Sequence, residues 1–172
     1  MSIQYDVIIV GAGAAGMMSA IEAGKRGRKV LLVDHYKKIG EKIRISGGGR
    51  CNFTNINTNP SKFLSQNPKF VRSALSQYTQ NDFINLINKY EIKFHEKKLG
   101  QLFCDHSAQQ IVEMLLKECE LANVTILKEF IIKNVDKDND QYLVSTENEE
   151  YSCQSLIVAT GGLSVPKIGA TS

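Results

Sequence analysis

An α/β fold around a parallel sheet is what this chain of 172 residues predicts, and three observations carry the prediction. The first is the stretch from Val7 to Gly16, where four apolar residues run into glycines at Gly11, Gly13 and Gly16 and then into a helical pattern. The second is another apolar run, Lys29 to Val33, that ends on Asp34, eighteen positions after Gly16. The third is Leu156 to Ala159, which opens into Thr160-Gly161-Gly162. Strand, tight turn and helix in succession is the context in which a glycine triplet marks dinucleotide binding; an ordinary βαβ turn is the plainer use of the same residues. The predicted fold is therefore Rossmann-like, a parallel sheet with helices plus an antiparallel β-meander.

Each glycine has a physical role. Gly11 permits the tight turn out of the strand, Gly13 lets the backbone approach a pyrophosphate, and Gly16 lets the helix lie close on the strand. The helix start points free N–H groups and the positive end of its dipole at the anion. Asp34 stands where a carboxylate accepts a ribose hydroxyl, and His35 lies beside that position.

Length bounds the chain to one domain or part of one, long enough to bury about 70% of its unfolded surface. A net charge of +3 is too small to imply a nucleic-acid partner, and none is expected. The charge is uneven. Nine Lys or Arg fall between Lys25 and Arg50 against Asp34 and Glu41, and six acids fall between Asp136 and Glu150 against Lys137. The basic run sits where phosphates would bind; the acidic run reads as solvated surface. Cys51, Cys104, Cys119 and Cys153 show no CxxC and no metal spacing, so free thiols in a reducing cytoplasm are expected, with no metal. No Lys or Arg precedes Lys25, which argues against a signal peptide, and no run of about 18 apolar residues is present to span a membrane.

In chain order, Ile3 to Val10 is the first strand, apolar enough from Val7 on to be covered on both faces. Ala14 to Arg26 is the first helix; its small residues Ala14, Ala15, Gly16, Ser19 and Ala20 suit tight packing, and Gly27 ends it. Lys29 to Asp34 is the second strand. Gly40 to Asn55 reads as a loop whose three consecutive glycines turn backbone N–H groups toward an anion, with Lys42 and Arg50 adding charge and Asn52, Thr54 and Asn55 adding hydrogen-bonding groups. A flexible linker would carry more Ser and Pro. Pro60 to Tyr90 is helical in pattern, a small helical cap over about 60–90, and Ile92 to Glu96 alternates like a short strand. Ser107 to Ala122 is a helix with capping-box spacing at Ser107 and Gln110 and an apolar face that includes Cys119. Val124 to Val135, Gln141 to Glu147 and Tyr151 to Ala159 read as strands around a polar turn at Asp136–Asp140.

The combined pattern resembles a known family. GxGxxG is followed by G-x-K-x-x-x-S-G-x-G-R-C-N-x-T-N, present at Gly40, Lys42, Ser46, Gly47, Gly49, Arg50, Cys51, Asn52, Thr54 and Asn55, and then by A-T-G-G at residues 159–162. This is similar to bacterial FAD-dependent flavoproteins whose members are described as NAD(P)/FAD-dependent oxidoreductases, aminoacetone oxidases or bile-acid-pathway flavoproteins. The resemblance covers the whole chain. It implies a Rossmann-like FAD-binding domain with FAD as cofactor and NAD(P)H as a candidate electron donor. It implies cofactor contacts at Gly11, Gly13, Ala14, Ala15, Gly16, Asp34, His35, Lys42, Ser46, Gly47, Gly49, Arg50, Cys51 and Asn52. It also places Thr160 and Gly161 near the cofactor and has Ile132 offer backbone to the adenine. Where the family usually has G-R-x-F-P, this chain has Gln101 for the Arg and Cys104 for the Pro, a departure that bears on the substrate. Relatives also run well beyond this length, so a C-terminally truncated domain is expected, its substrate domain absent and the missing C-terminal half needed for full binding.

These readings give an FAD-dependent oxidoreductase acting on an unidentified small molecule. The alternative is a remnant that binds nucleotide weakly and turns nothing over. Flavin-dependent RNA modification is a weaker alternative, allowed by the basic run. No catalytic acid or base is nominated among His35, His95 and His106. Cys51, next to Arg50 in a Gly-rich loop, invites a lowered thiol pKa, but it has no near partner in sequence for disulfide chemistry.

Overall fold

A computed structural model describes residues 2–162; the closing residues after Gly162, read above as the truncated end, lie outside them. In chain order the elements are β1 (Ile3–Val10), α1 (Ala14–Lys25), β2 (Val30–Val33), α2 (Glu41–Ile45), β3 (Asn52–Asn55), α3 (Arg72–Gln77), α4 (Gln80–Lys89), β4 (Phe94–Glu96) and β5 (Gln101–Cys104). After these come α5 (Gln109–Leu121), β6 (Thr125–Leu127), β7 (Asn134–Asp138), β8 (Gln141–Ser145) and β9 (Glu150–Val158). Contacts divide the chain into two compact units, Met1–Ile43 with Val112–Ser172, and Arg44–Ile111.

The first unit is built on a six-stranded sheet in the order β6-β2-β1-β9-β8-β7. Its apolar runs take the middle, as strands covered on both faces must. β1 runs parallel to β2, with Val7 beside Val30 and Val10 beside Val33, and parallel to β9, with Ile3 beside Tyr151 and Val10 beside Val158. β6 joins β2 in parallel; β8 pairs antiparallel with both β9 and β7. Ile8, Ile9, Leu31 and Leu32 are wholly buried. A cluster of Tyr5, Ile8, Leu31, Val33, Phe130, Val144, Tyr151 and Cys153 includes an edge-on pair between Phe130 and Tyr151.

α1 packs through its small residues. A Cβ at Gly16 would stand 1.8 Å from the Gly11 carbonyl oxygen, and one at Gly24 would stand 2.3 Å from the Ala122 oxygen. The buried residues are Gly16, Met17, Ala20 and Ile21; Ala14 and Ala15, expected to pack, are exposed at the helix start instead. Lys25 pairs with the buried Glu118 at 3.0 Å, and the Cys119 thiol lies 3.8 Å from the Met17 carbonyl, which makes Cys119 core.

The second unit has its own three-stranded antiparallel sheet, β3-β5-β4. Phe53 on β3 meets Phe83 of α4 and Phe94 of β4, with ring centroids 6.1 and 5.4 Å apart. α4 starts with a reciprocal capping box between Thr79 and Asp82.

Several expectations need correction. Residues 40–55 are not loop throughout, because α2, a 3-10 turn at Ser46–Gly49 and β3 fall within them. Residues 124–135 are not one strand. β6 stops at Leu127 and joins the parallel edge; the chain then crosses to begin β7 at Asn134. The meander thus consists of β7, β8 and β9. The turn between β7 and β8 is shorter than Asp136–Asp140, since β7 holds its pairing to Asp138. Ser107 caps by accepting from the Gln109 N–H at 3.1 Å rather than through Gln110.

Gly16→Ala tests the packing of α1. The added methyl meets backbone rather than a movable side chain, so a loss of about 3 kcal/mol or more is expected, the upper range for overpacking. Thermal denaturation monitored by circular dichroism measures it, and an unchanged melting temperature would refute this account of the contact.

Candidate functional site

The carboxyl ends of β1, β2 and β9 lie side by side. Because β2 and β9 flank β1 on opposite sides, the crevice above β1 is a topological switch point, where open α/β sheets bind ligands. Gly11 to Gly16 follow β1, Asp34 follows β2, and Thr160 and Gly161 follow β9.

The three glycines separate by their surroundings. Gly11 has φ +103°, and a Cβ there would lie 2.5 Å from the Ala159 oxygen; it joins the turn to the end of β9. Gly16 is held by the helix packing already described. Gly13 alone has no protein atom within 4 Å of the Cβ position. It is also the N-cap of α1, with no side-chain cap and no acid in the first turn. The helix N–H groups and the positive dipole end therefore face a space that admits an anion. The exposed Ala14 and Ala15 keep that approach unobstructed.

Asp34 ties the turn together. One carboxylate oxygen accepts from the Ala12 N–H at 2.8 Å and the other from the Tyr36 N–H at 2.9 Å. The side chain is largely buried, at 14% exposure, and each oxygen keeps a lone pair for a ribose hydroxyl. His35 is half exposed, its Nδ1 3.6 Å from Asp34 and its ring against Tyr36. Lys42 donates to the Gly162 carbonyl and lies 3.4 Å from where a Gly161 Cβ would be, so it belongs with the β9 end of the crevice. Thr160 and Gly161 are exposed, Gly161 at φ +80°. Ile132 packs its side chain partly against the core cluster. These residues fit a dinucleotide: an open backbone cradle, an uncapped helix start, an acid and a cation at one sheet end.

Ser46, Gly47, Gly49, Arg50, Cys51 and Asn52 belong to the second unit. The Ser46 carbonyl accepts from the N–H groups of both Arg50 and Cys51, which closes the turn that follows the three glycines. Gly47 is packed, with its Cβ position 2.7 Å from the Phe103 ring. Gly48, which the sequence reading passed over, has open space at its Cβ position and φ +68°. A run of three glycines gives no sign of which one packs. Arg50 and Asn52 are exposed.

Cys51 is 6% exposed, and burial pushes its thiol up, a pull that its hydrogen bond with Ser46 only partly offsets. Cys104 is wholly buried and near enough to Cys51 to feel its charge; burial first and Cys51 second push it up to about 11. The expected lowering by Arg50 is overturned by desolvation, and both thiols are protonated at neutral pH. His95 pairs with Asp105 at 2.7 Å, and His106 is exposed. Among the described residues no group of His, Cys, Asp and Glu could hold a metal ion, and no helix is long and apolar enough to cross a membrane.

The glycine turn, the switch point and the carboxylate after β2 define a dinucleotide-binding Rossmann domain. The chain belongs to the HI0933-like protein Rossmann domain family, which matches residues 5–172. It is 54% identical over 168 residues to a protein of Escherichia coli (strain K12) named ribosomal RNA dihydrouridine synthase, covering 98% of this chain and 42% of that protein. It is 49% identical over 175 residues to the protein of the same name from Haemophilus influenzae, covering 99% of this chain and 44% of that one. The chain thus spans less than half the length of these relatives. In fold it is similar to 3-ketosteroid-delta4-(5alpha)-dehydrogenase from Rhodococcus jostii, with a TM-score of 0.65 at 12% identity, over 94% of this chain and 46% of that one.

These names overturn the expectation of no nucleic-acid partner, since both relatives are named for ribosomal RNA. The physical reason is that a net charge averages over the chain. Residues 44–111 hold nine Lys and Arg against four Asp and Glu, a net +5, and the remainder holds twelve against fourteen, a net −2.

The cysteines supply a test. All four are buried. In the native chain at neutral pH none is expected to react with a thiol reagent such as DTNB within minutes, and all four should react after denaturation. Cys104 and Cys119 both have folded pKa values raised to about 11, so they favour the native state fully below the unfolded thiol range. That stability is lost as pH rises from about 9 through 11. A denaturant midpoint independent of pH across this window would contradict the burial argument.

Proposed function

We propose that the first unit holds FAD with its pyrophosphate at the start of α1, and that the protein reduces uridine in ribosomal RNA to dihydrouridine. The observation that carries the reading is the 54% identity, along 98% of this chain, to an enzyme named for that product. When bound and reduced by NAD(P)H, the flavin would supply the hydride that saturation of a carbon–carbon double bond requires, with a proton completing the addition. The chain's own residues bind and orient. The α1 N–H groups and the open backbone at Gly13 receive the pyrophosphate, with Gly11, Gly16, Ala14 and Ala15 shaping the approach. Asp34 fixes the turn through Ala12 and offers its remaining lone pairs to the ribose. Lys42, Thr160 and Gly161 form the opposite wall at the end of β9. NAD(P)H is the proposed electron donor.

Gly13→Val separates the cofactor site from folding. Its Cβ position is open among the described residues, so the loss of stability should stay within about 2 kcal/mol, the range for helix N-cap changes. FAD uptake, read from the visible spectrum after gel filtration, should weaken at least tenfold. Retention equal to the wild type would overturn the pyrophosphate placement. Incubating FAD-loaded protein and NADPH with a ribosomal RNA transcript should add two hydrogens to a uridine by mass spectrometry; bound flavin with no such product would overturn the proposed reaction.

A further inference from the structure

From Lys42 to Asn81 the chain carries six Lys or Arg and no Asp or Glu. Within this stretch every residue from Ser61 to Phe70 is exposed. The exposure includes large apolar side chains, with Phe63 at 41%, Leu64 at 96% and Phe70 at 80%. Lys62, Lys69 and Arg72 stand among them, also exposed. Local hydrogen bonds hold this presentation. The Asn59 side chain accepts from Ser61, the Asn67 side chain accepts from the Lys69 N–H, and the Phe70 and Arg72 N–H groups close successive turns onto Asn67 and Lys69. Apolar side chains kept in water on a shaped loop, with cations between them and no acid near in sequence, mark an interaction surface rather than a solvated tail.

We infer that Lys62, Phe63, Leu64, Lys69, Phe70 and Arg72 form a docking surface for unpaired RNA. The inference rests on the proposed action on ribosomal RNA and names the part of the chain that would grip it. The chemistry suits that occupant. Unpaired bases stack on aromatic rings, and the phosphates between them take lysine and arginine. A stretch that carries cations and no acid favours a polyanionic occupant, and RNA is one.

The experiment measures binding of the purified chain to a fluorescein-labelled oligouridine of about 16 nucleotides by anisotropy across a salt series. Lys62→Ala, Lys69→Ala and Arg72→Ala together should reduce the slope of log affinity against log salt by about 2. Phe70→Ala should weaken binding roughly 5- to 100-fold with the slope unchanged, and Phe70→Tyr, which keeps the ring, should restore it. FAD uptake and circular dichroism should be unaltered in every variant, since all these side chains are exposed. Wild-type binding that none of the substitutions alters would overturn this surface and leave the RNA reading standing. A wild-type chain with no salt-dependent RNA binding would overturn both. Self-association abolished by Phe70→Ala, with RNA affinity unchanged, would assign the patch to a second copy and overturn the inference.

Discussion

The first unit depends on one close approach, the start of α1 against the turn that leaves β1. Gly16 lies so near the Gly11 carbonyl that no side chain fits, and Gly11 lies as near to Ala159 at the end of β9. These two contacts lock helix, turn and neighbouring strand into one rigid corner. The Asp34 carboxylate closes it from the β2 side through the Ala12 N–H. Once that corner is fixed, the direction of the α1 dipole is fixed too, and Gly13 is the one of the three glycines with nothing against its Cβ position among the described residues. A site for an anion is thus a by-product of packing a helix tightly on a parallel sheet.

The legible parts of the sequence were those where a local pattern and its tertiary use coincide. β1 and α1 could be read because a both-face-buried strand is apolar throughout and because a glycine triplet has few other uses beside it. The split of residues 124–135 was not legible. Thr125–Leu127 and Asn134–Asp138 are both strand-like, and only pairing shows that one joins β2 and the other β8. Residues 41–55 misled in the other direction, because glycine content argues for loop while hydrogen bonding to Phe103 and Gln101 draws Asn52–Asn55 into a sheet. Within the site, the tight turn at Gly11 and the close packing at Gly16 were legible, whereas the use of Asp34 as a brace for the turn needed coordinates.

Cysteine and charge show two ways in which a local reading loses to context. Arg50 beside Cys51 argues for a stabilised thiolate, yet burial of the sulfur pushes the thiol up, and what pulls it down is the hydrogen bond with Ser46 rather than the exposed Arg50. In the same way a net charge of +3 describes neither unit, and the sign that matters for a polyanion is that of the surface it meets.

Magnitudes limit what the glycine corner does by itself. A helix dipole stabilises a nearby anion by about 0.3–1 kcal/mol, up to about 2 in partly buried geometry. Nanomolar affinity corresponds to about 12 kcal/mol. In the proposed reading the corner orients the pyrophosphate, and tight binding is assembled from many further contacts along the cofactor. In that reading Asp34, Lys42 and the exposed turn at Thr160 and Gly161 are the first unit's share of them. Relatives more than twice as long have correspondingly more surface from which to draw the remainder. Under the proposed reading, orientation and affinity are thus separable, the first encoded in a few residues after β1 and the second distributed along the cofactor's contacts.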